Sequence, residues 1–140
     1  MISYYENKLS EEIIENIRDA IGWKRFTKEQ LNIAISRTVY SVVAYENDVL
    51  VAMGRLIWDG IYYFICDVAV VPLAQGKGIG TVIVNKLVEY VRNNLNEQER
   101  CSIQLIAAKG KEGFYEKMGF STIPNQHSGH GMQIFISNEI

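Results

Sequence analysis

The sequence predicts an α+β fold, with about four helices flanking a mixed, largely antiparallel sheet of six or seven strands in a three-layer arrangement. Apolar, β-branched runs joined by short turns between residues 39 and 71 indicate an antiparallel meander. A stretch with helical spacing, residues 79–91, then separates two strand-like runs, as in a parallel pair joined by a crossover helix. Helical patterns come before the meander, and a further strand pair comes last.

Local signals place the helices. Ser10 suits the N-cap of a helix from Glu11 to about Ile21, and Gly22 would end it. A capping box at 27–30 begins a second helix, Lys28 to about Ser36. An apolar stripe from Ile79 to Val91 predicts the long crossover helix, and a short helix is expected from Lys111 to Met118, closed by Gly119.

The strands are predicted from apolar and β-branched runs between turn signals. The candidates are Ile2–Glu6, Val39–Glu46, Val49–Trp58, Ile61–Val71, Cys101–Ala107, Phe120–Ile123 and Gly131–Ser137. Tight turns at 47–48 and 59–60 join the meander. Gly54, inside a strand, indicates a bulge or close packing. The last two candidates would pair as a hairpin.

Composition limits the class of protein. A chain of 140 residues with 48% apolar content suits a single domain, residues 1–140. A net charge of −2 argues against a nucleic-acid partner. Neither a long uncharged apolar stretch nor a signal peptide is visible, so no membrane partner is expected. Cys66 and Cys101 lie in apolar runs, which favours buried free thiols, no metal site and a cytoplasmic location.

A glycine-rich loop, residues 75–81, connects the last strand of the meander to the crossover helix. A helix N-terminus presents unpaired N–H groups, and glycines let a phosphate approach them. The P-loop pattern is absent, and Thr81 stands where a dinucleotide fingerprint would have its last glycine. The remaining explanations are another phosphate ligand or a turn that only packs the helix on the sheet.

The pattern Q-x-x-G-x-G, formed by Gln75, Gly78 and Gly80, resembles the acetyl-CoA loop of the GNAT superfamily of N-acetyltransferases. Phe-Tyr-Glu-Lys-Met-Gly-Phe at 114–120 resembles that family's F-Y-x-x-x-G-F segment, and the order of elements matches over nearly the whole chain. The resemblance implies the GNAT acyl-CoA N-acyltransferase fold, acetyl-CoA as cosubstrate and no metal. It also implies acetyl transfer to a primary amine, and a small molecule is the expected acceptor. The acidic balance and small size of the chain favour a small cation as that acceptor.

The resemblance also implies site residues. The expected cofactor-binding residues are Val68, Ala69, Val70, Gln75, Gly76, Lys77, Gly78, Ile79, Gly80 and Thr81. In GNAT relatives a main-chain N–H of the strand before the loop polarises the thioester. Their tyrosine faces the CoA sulfur, so Tyr115 is expected to protonate the leaving thiolate. Many relatives carry Asn seven residues earlier; Ala108 stands there, so Lys109 or a backbone group would replace that contact.

The sequence does not single out one residue as the general base. Asp67 is the one carboxylate in the buried strand, and an unpaired buried charge is costly. It therefore either pairs with a cation such as Arg55 or acts in proton transfer. Glu112, Glu116, His127 and His130 are further candidates that also suit solvated surface positions. Lys109, Lys111 and Lys117 could meet the CoA 3′-phosphate or simply form a solvated face.

Several alternatives stay open on the sequence. The aromatic and cationic loop at 22–26 either packs its tryptophan on the core or borders the acceptor. Direct attack in a ternary complex is expected, because both cysteines look buried. A protein amine is a second candidate acceptor. The chain could instead bind or sense acyl-CoA without turnover. GNAT relatives are often dimers, so a homodimer is one arrangement to test.

Overall fold

The computed structural model describes residues 1–138, in two compact units, Met1–Ile106 and the residues from Ala107 onward. The elements of the first unit are β1 (Ile2–Glu6), α1 (Glu11–Ala20), α2 (Lys28–Ser36), β2 (Thr38–Glu46), β3 (Val49–Trp58), β4 (Tyr62–Val70), α3 (Ile79–Asn94) and β5 (Ser102–Gln104). The second unit contains the short helix α4 (Glu112–Glu116). That all of this forms a single domain stays a prediction.

The sheet has the order β1-β2-β3-β4-β5. Neighbours from β1 to β4 are antiparallel, and β5 pairs in parallel with β4. The mixed, largely antiparallel sheet, the four α-helices and the parallel crossover are therefore confirmed. The prediction of six or seven strands is wrong for residues 1–138, which contain a five-stranded sheet.

The missing strands belong to the predicted C-terminal hairpin. Phe120–Ile123 and Gly131–Ser137 form no strand, although the loop between them does turn. In that turn the Asn125 side chain accepts hydrogen bonds from the N–H groups of His127 and Ser128. A two-stranded hairpin is marginal unless it packs on other structure. Here Met132 and the apolar residues 134–136 are 80–94% exposed, so nothing in the described chain supports pairing.

The local signals at the starts of α1 and α2, at the end of α1 and at the turn 47–48 are confirmed. The connection predicted as a two-residue turn at 59–60 covers residues 59–61, because β4 begins at Tyr62. Ser10 Oγ accepts from the N–H of Ile13, and Thr27 and Gln30 form the reciprocal capping box. Gly22 follows α1 with φ 79°, the left-handed conformation that ends many helices. Asn47 and Asp48 both have positive φ between β2 and β3, as a tight right-twisted hairpin requires.

Helices cover both faces of the sheet in the first unit. On one face, buried residues of α1 and α2 pack against β2, β3 and β4 in a cluster of Ile14, Ile17, Leu31, Val43, Met53 and Ala69. Side chains alternate along a strand, so Gly54 faces the other side, where α3 lies. A Cβ at Gly54 would stand 2.7 Å from Ile83 Cγ2 and 3.4 Å from Leu87 Cδ1. Gly54 therefore allows α3 to pack directly on β3.

Candidate active site

β4 contains a bulge at its centre. Ala69 pairs with Met53, but the next pair along is Cys66 with Arg55, so Asp67 and Val68 oppose Gly54 alone. Asp67 has φ 55°, which non-glycine residues seldom adopt. A bulge bends the strand and re-aims its side chains, and active sites often contain one. In this strand the bulge separates the half that pairs with β5 from the half that approaches the glycine loop.

The pairing of β4 with β5 ends before this bulge. The parallel pairing covers only Tyr62, Tyr63 and Phe64 of β4, because β5 ends at Gln104 and is shorter than the predicted Cys101–Ala107. From Ile65 to Val70, the edge of β4 that faces away from β3 has no strand beside it within residues 1–138. An unpaired strand edge presents N–H and C=O groups to any extended molecule that lies along it.

The direction of the groups on this edge follows from one hydrogen bond. The N–H of Val71 donates to Val51 O at 2.9 Å, so it points toward β3. Backbone groups alternate along a strand, and Val70 therefore presents its N–H and C=O to the open edge. The Val70 carbonyl there accepts a hydrogen bond from Gln75 Nε2 at 3.0 Å. The N–H and C=O groups of Ala69 point toward β3, and its side chain is buried in the core.

The glycine loop leaves the start of α3 open. Gly76 and Gly78 have φ near 80°, and a Cβ at either would meet nothing within 4 Å. Gly78 is the N-cap residue and has no side chain with which to cap the helix. The first intrahelical bond runs from the N–H of Val82 to Gly78 O at 3.1 Å. The N–H groups of residues 79–81 precede this first donor and have no intrahelical acceptor. They lie at the positive end of a helix of 16 residues.

Other side chains hold this loop in place. Lys77 Nζ lies 2.8 and 2.9 Å from the two carboxylate oxygens of Glu46, at the end of β2. Ile79 is buried in the core, so only its backbone can reach a ligand. The cofactor-binding roles of Lys77 and Ile79 stay predictions, and the positions of these two side chains leave the main-chain groups as the candidate donors.

Asp67 is held between two arginines. Arg55 Nε lies 2.8 Å from Oδ2, and Arg18 Nη1 lies 3.1 Å from Oδ1. The side chains of Arg18, Arg55 and Asp67 are 12%, 14% and 19% exposed. Sequence reasoning named Arg55 as a partner but missed Arg18, which lies 49 residues away and has no local signal beyond its place in the last turn of α1. The proton-transfer role of Asp67 stays a prediction.

The loop after α1 completes this cluster. The guanidinium of Arg18 lies 5.1 Å from the Trp23 ring centroid and 4.8 Å from that of Phe26. Its Nε and Nη2 donate to the Lys24 carbonyl at 3.1 and 2.8 Å. Trp23 is half-buried and also packs at the edge of the core. The expected packing of Trp23 on the core is thus observed, and its place at the border of the acceptor stays a prediction.

Tyr115 lies in α4 of the second unit, half-buried between Phe114 and Phe120. Burial raises the pKa of its phenol above the ordinary value, so the hydroxyl is a protonated donor at neutral pH. α4 ends at Glu116 and not at the predicted Met118, so Gly119, with φ 99°, lies in the turn that follows the helix and not directly at its end. Tyr115 as the acid for the leaving group stays a prediction.

The remaining candidates occupy the surface. Ala108, three lysines, two glutamates and two histidines are exposed: Lys109, Lys111, Lys117, Glu112, Glu116, His127 and His130. Cys66 and Cys101 are half-buried, which corrects the expectation that both are buried. Burial raises the pKa of the Cys66 thiol, which keeps it in its less nucleophilic protonated form.

Two further features of residues 1–138 bear on the class of protein. They contain no group of three or more histidine, cysteine, aspartate or glutamate residues placed to hold a metal ion. No helix among them is long and apolar enough to cross a membrane.

Comparison with known proteins places the chain in a family. Residues 6–135 match the model of the acetyltransferase (GNAT) domain. The uncharacterized N-acetyltransferase ycf52 of Pyropia yezoensis is 30% identical over 121 residues, which are 83% of this chain and 67% of that protein. The crystal structure of a probable acetyltransferase from methicillin-resistant Staphylococcus aureus has a TM-score of 0.83 at 28% identity, covering 97% of this chain and all of that one.

A more distant structure shares the fold. A predicted acetyltransferase from Clostridium acetobutylicum, solved with acetyl-CoA, has a TM-score of 0.70 at 18% identity, covering 89% of this chain and 92% of that one. The family match spans the bulged strand, the glycine loop and the α4 segment alike. The chain therefore belongs to the GNAT family of acetyltransferases.

Proposed function

We propose that the protein transfers an acetyl group from acetyl-CoA to the primary amine of a small molecule, by direct attack in a ternary complex. One observation carries the proposal: after a single 3-10 turn, Pro72–Ala74, the open edge of β4 is followed by a glycine loop with free N–H groups at the start of α3. Together they offer backbone donors to an extended chain that ends in a diphosphate, which is the shape of CoA. Family membership and the acetyl-CoA bound by the Clostridium acetobutylicum protein support the same cosubstrate.

The loop would bind the diphosphate of the cosubstrate. The N–H groups from Gly76 to Thr81 are the donors, and the positive end of α3 favours the negative charge. The absence of a Cβ at Gly76 and Gly78 keeps the approach clear. Gln75 contributes by bonding the Val70 carbonyl, which fixes the turn between strand and loop.

The open edge of β4 would hold the pantetheine and orient the thioester. Val70 presents its N–H to this edge, and its carbonyl is already occupied by Gln75. A fixed N–H donor directed at the thioester oxygen stabilises the negative charge that develops there during attack. Among the three strand residues assigned to this role, Val70 is the best placed. Ala69 points to β3, and Val68 forms part of the bulge.

The chemistry then needs two proton movements. The neutral amine attacks the thioester carbon, a C–N bond forms, the C–S bond breaks, and the amine loses a proton. The leaving thiolate takes a proton, and the half-buried phenol of Tyr115 is the proposed donor. Asp67 would have to give up an ion pair to accept a proton, since each of its oxygens faces a guanidinium. This favours a structural part for Asp67 and transfer of the amine proton to water.

A thiol-release assay with a panel of small amines tests the proposal, with the acetylated products identified by mass spectrometry. We expect release of CoA that depends on both acetyl-CoA and an amine. Calorimetry on the same protein measures binding of acetyl-CoA alone. Tight binding without release for any small amine or peptide N-terminus would mean that the protein senses acyl-CoA instead. Turnover with peptides only would assign a protein acceptor.

A further inference from the structure

The cluster around Asp67 carries an excess positive charge. It joins two guanidinium groups, those of Arg18 and Arg55, to a single carboxylate, and all three side chains are largely buried. The nearest carboxylates on α1 do not balance it, because Glu15 and Asp19 both bind Arg25. Partly buried charges are poorly screened by salt and solvent. Among residues 1–138, the cluster of Arg18, Arg55 and Asp67 itself therefore carries a net charge of about +1.

The two arginines differ in the donors that they have left. Arg18 uses Nη1 for Asp67 and both Nε and Nη2 for the Lys24 carbonyl, while two aromatic rings flank its guanidinium. Arg55 uses Nε for Asp67 and Nη1 for Thr38 Oγ1 at 3.3 Å. Within residues 1–138, its Nη2 makes no hydrogen bond. Arg55 is thus oriented by two partners and keeps a charged donor at its end.

The position of the cluster connects it to the reaction. Asp67 lies on β4 three residues before Val70, so the bulged strand separates them by at most about 10 Å. Arg55 shares a sheet face with Met53, the face that α1 and α2 cover. An acceptor whose amine reaches a thioester near Val70 could therefore reach Arg55 with its other end.

We propose that the acceptor carries a carboxylate as well as its amine, and that Arg55 binds this carboxylate. The inference rests on the proposed function and narrows its substrate class to small amino acids in the broad sense, H₂N–(CH₂)n–COO⁻ and their relatives. Guanidinium groups suit carboxylates because their planar donors match the two oxygens. A polyamine is disfavoured, because its second ammonium group would be repelled by the excess positive charge of the cluster.

The test compares matched substrates. Amino acids of the series H₂N–(CH₂)n–COO⁻ are assayed beside n-alkylamines of the same chain length, by thiol release from acetyl-CoA. At the best chain length, the expected kcat/KM for the acid is about tenfold to a hundredfold higher than for the matching alkylamine. This fold-change corresponds to the usual free energy of a hydrogen bond to a charged group. Alkylamines that are turned over as well as the acids, or better, would overturn the inference while leaving the acetyltransferase intact.

Variants assign the preference to Arg55. In Arg55→Gln the acid-to-amine ratio of kcat/KM should fall to about one. In Arg92→Gln, on an exposed arginine of α3, it should equal that of the wild type. A ratio that survives in a folded Arg55→Gln protein contradicts the assignment. If Arg55→Gln does not fold, the wild-type ratio decides by itself.

Calorimetry separates this inference from the proposed function. If neither these two series nor the wider amine panel releases thiol, the proposed function fails, and titration of the same acids into the wild-type protein decides the inference. Binding of an acid, and not of its alkylamine, supports a carboxylate site. Absence of binding by every acid overturns it.

Discussion

Replacement of Gly78 by alanine should have two separate effects, a loss of stability from backbone strain and a loss of affinity for acetyl-CoA from contact with the ligand. Gly78 caps α3 with φ 79°, and an added Cβ would meet no protein atom within 4 Å. An L-residue in this conformation costs about 1–2 kcal/mol, so the variant should fold with a melting temperature lowered by a few degrees. The same methyl group would project where the diphosphate must approach. We expect affinity for acetyl-CoA, measured by calorimetry, to fall about tenfold or more, equal to about 1.4 kcal/mol.

The chain offers a matched control for this change. Gly22 has the same φ of 79° and equally open space around an added Cβ, but it follows α1 and is not part of the loop. Gly22→Ala should therefore lose similar stability and keep wild-type affinity for acetyl-CoA. Equal affinities in the two folded variants would refute the assignment of the loop.

Three further changes test packing and chemistry. Gly54→Ala should destabilise the fold by about 1–3 kcal/mol in denaturant unfolding, because its Cβ would lie 2.7 Å from Ile83 Cγ2, and an unchanged midpoint would contradict this packing. Tyr115→Phe should lower the single-turnover rate by about 10²–10⁴ while the KM for acetyl-CoA changes little; a wild-type rate would make this tyrosine structural. Cys66→Ala and Cys101→Ala should retain turnover, and an acetylated cysteine trapped after brief incubation with acetyl-CoA would exclude direct transfer.

Local chemistry made much of the fold predictable. The caps at Ser10 and Thr27, the glycine after α1 and the tight turn at 47–48 depend on neighbours in sequence, and all appear in the structure. The open start of α3 was predictable for the same reason, since glycine at position 78 suits a left-handed N-cap. Assignment of the loop to acetyl-CoA needed the family resemblance, because glycines alone do not specify a ligand.

Long-range partners were not predictable. The apolar pattern at 131–137 is typical of a strand. A strand also needs a neighbouring strand for its hydrogen bonds, which the local pattern cannot predict, and no strand forms there. β5 is likewise shorter than its apolar run, because its pairing with β4 stops at Gln104. Arg18 and Asp67 meet only through the packing of α1 on the sheet. The excess charge of the cluster of Arg18, Arg55 and Asp67 therefore became visible only in the structure.

Hydrogen exchange with and without acetyl-CoA tests the central claim most directly, that the cosubstrate lies along β4 and against the start of α3. The amide of Val70 has no acceptor in the sheet, and the amides of residues 79–81 have none in α3, the helix that they begin. With saturating acetyl-CoA, we predict slower exchange at these amides in particular, whatever the acceptor proves to be. If calorimetry shows binding while these amides exchange at unchanged rates, acetyl-CoA binds elsewhere and the site described is wrong.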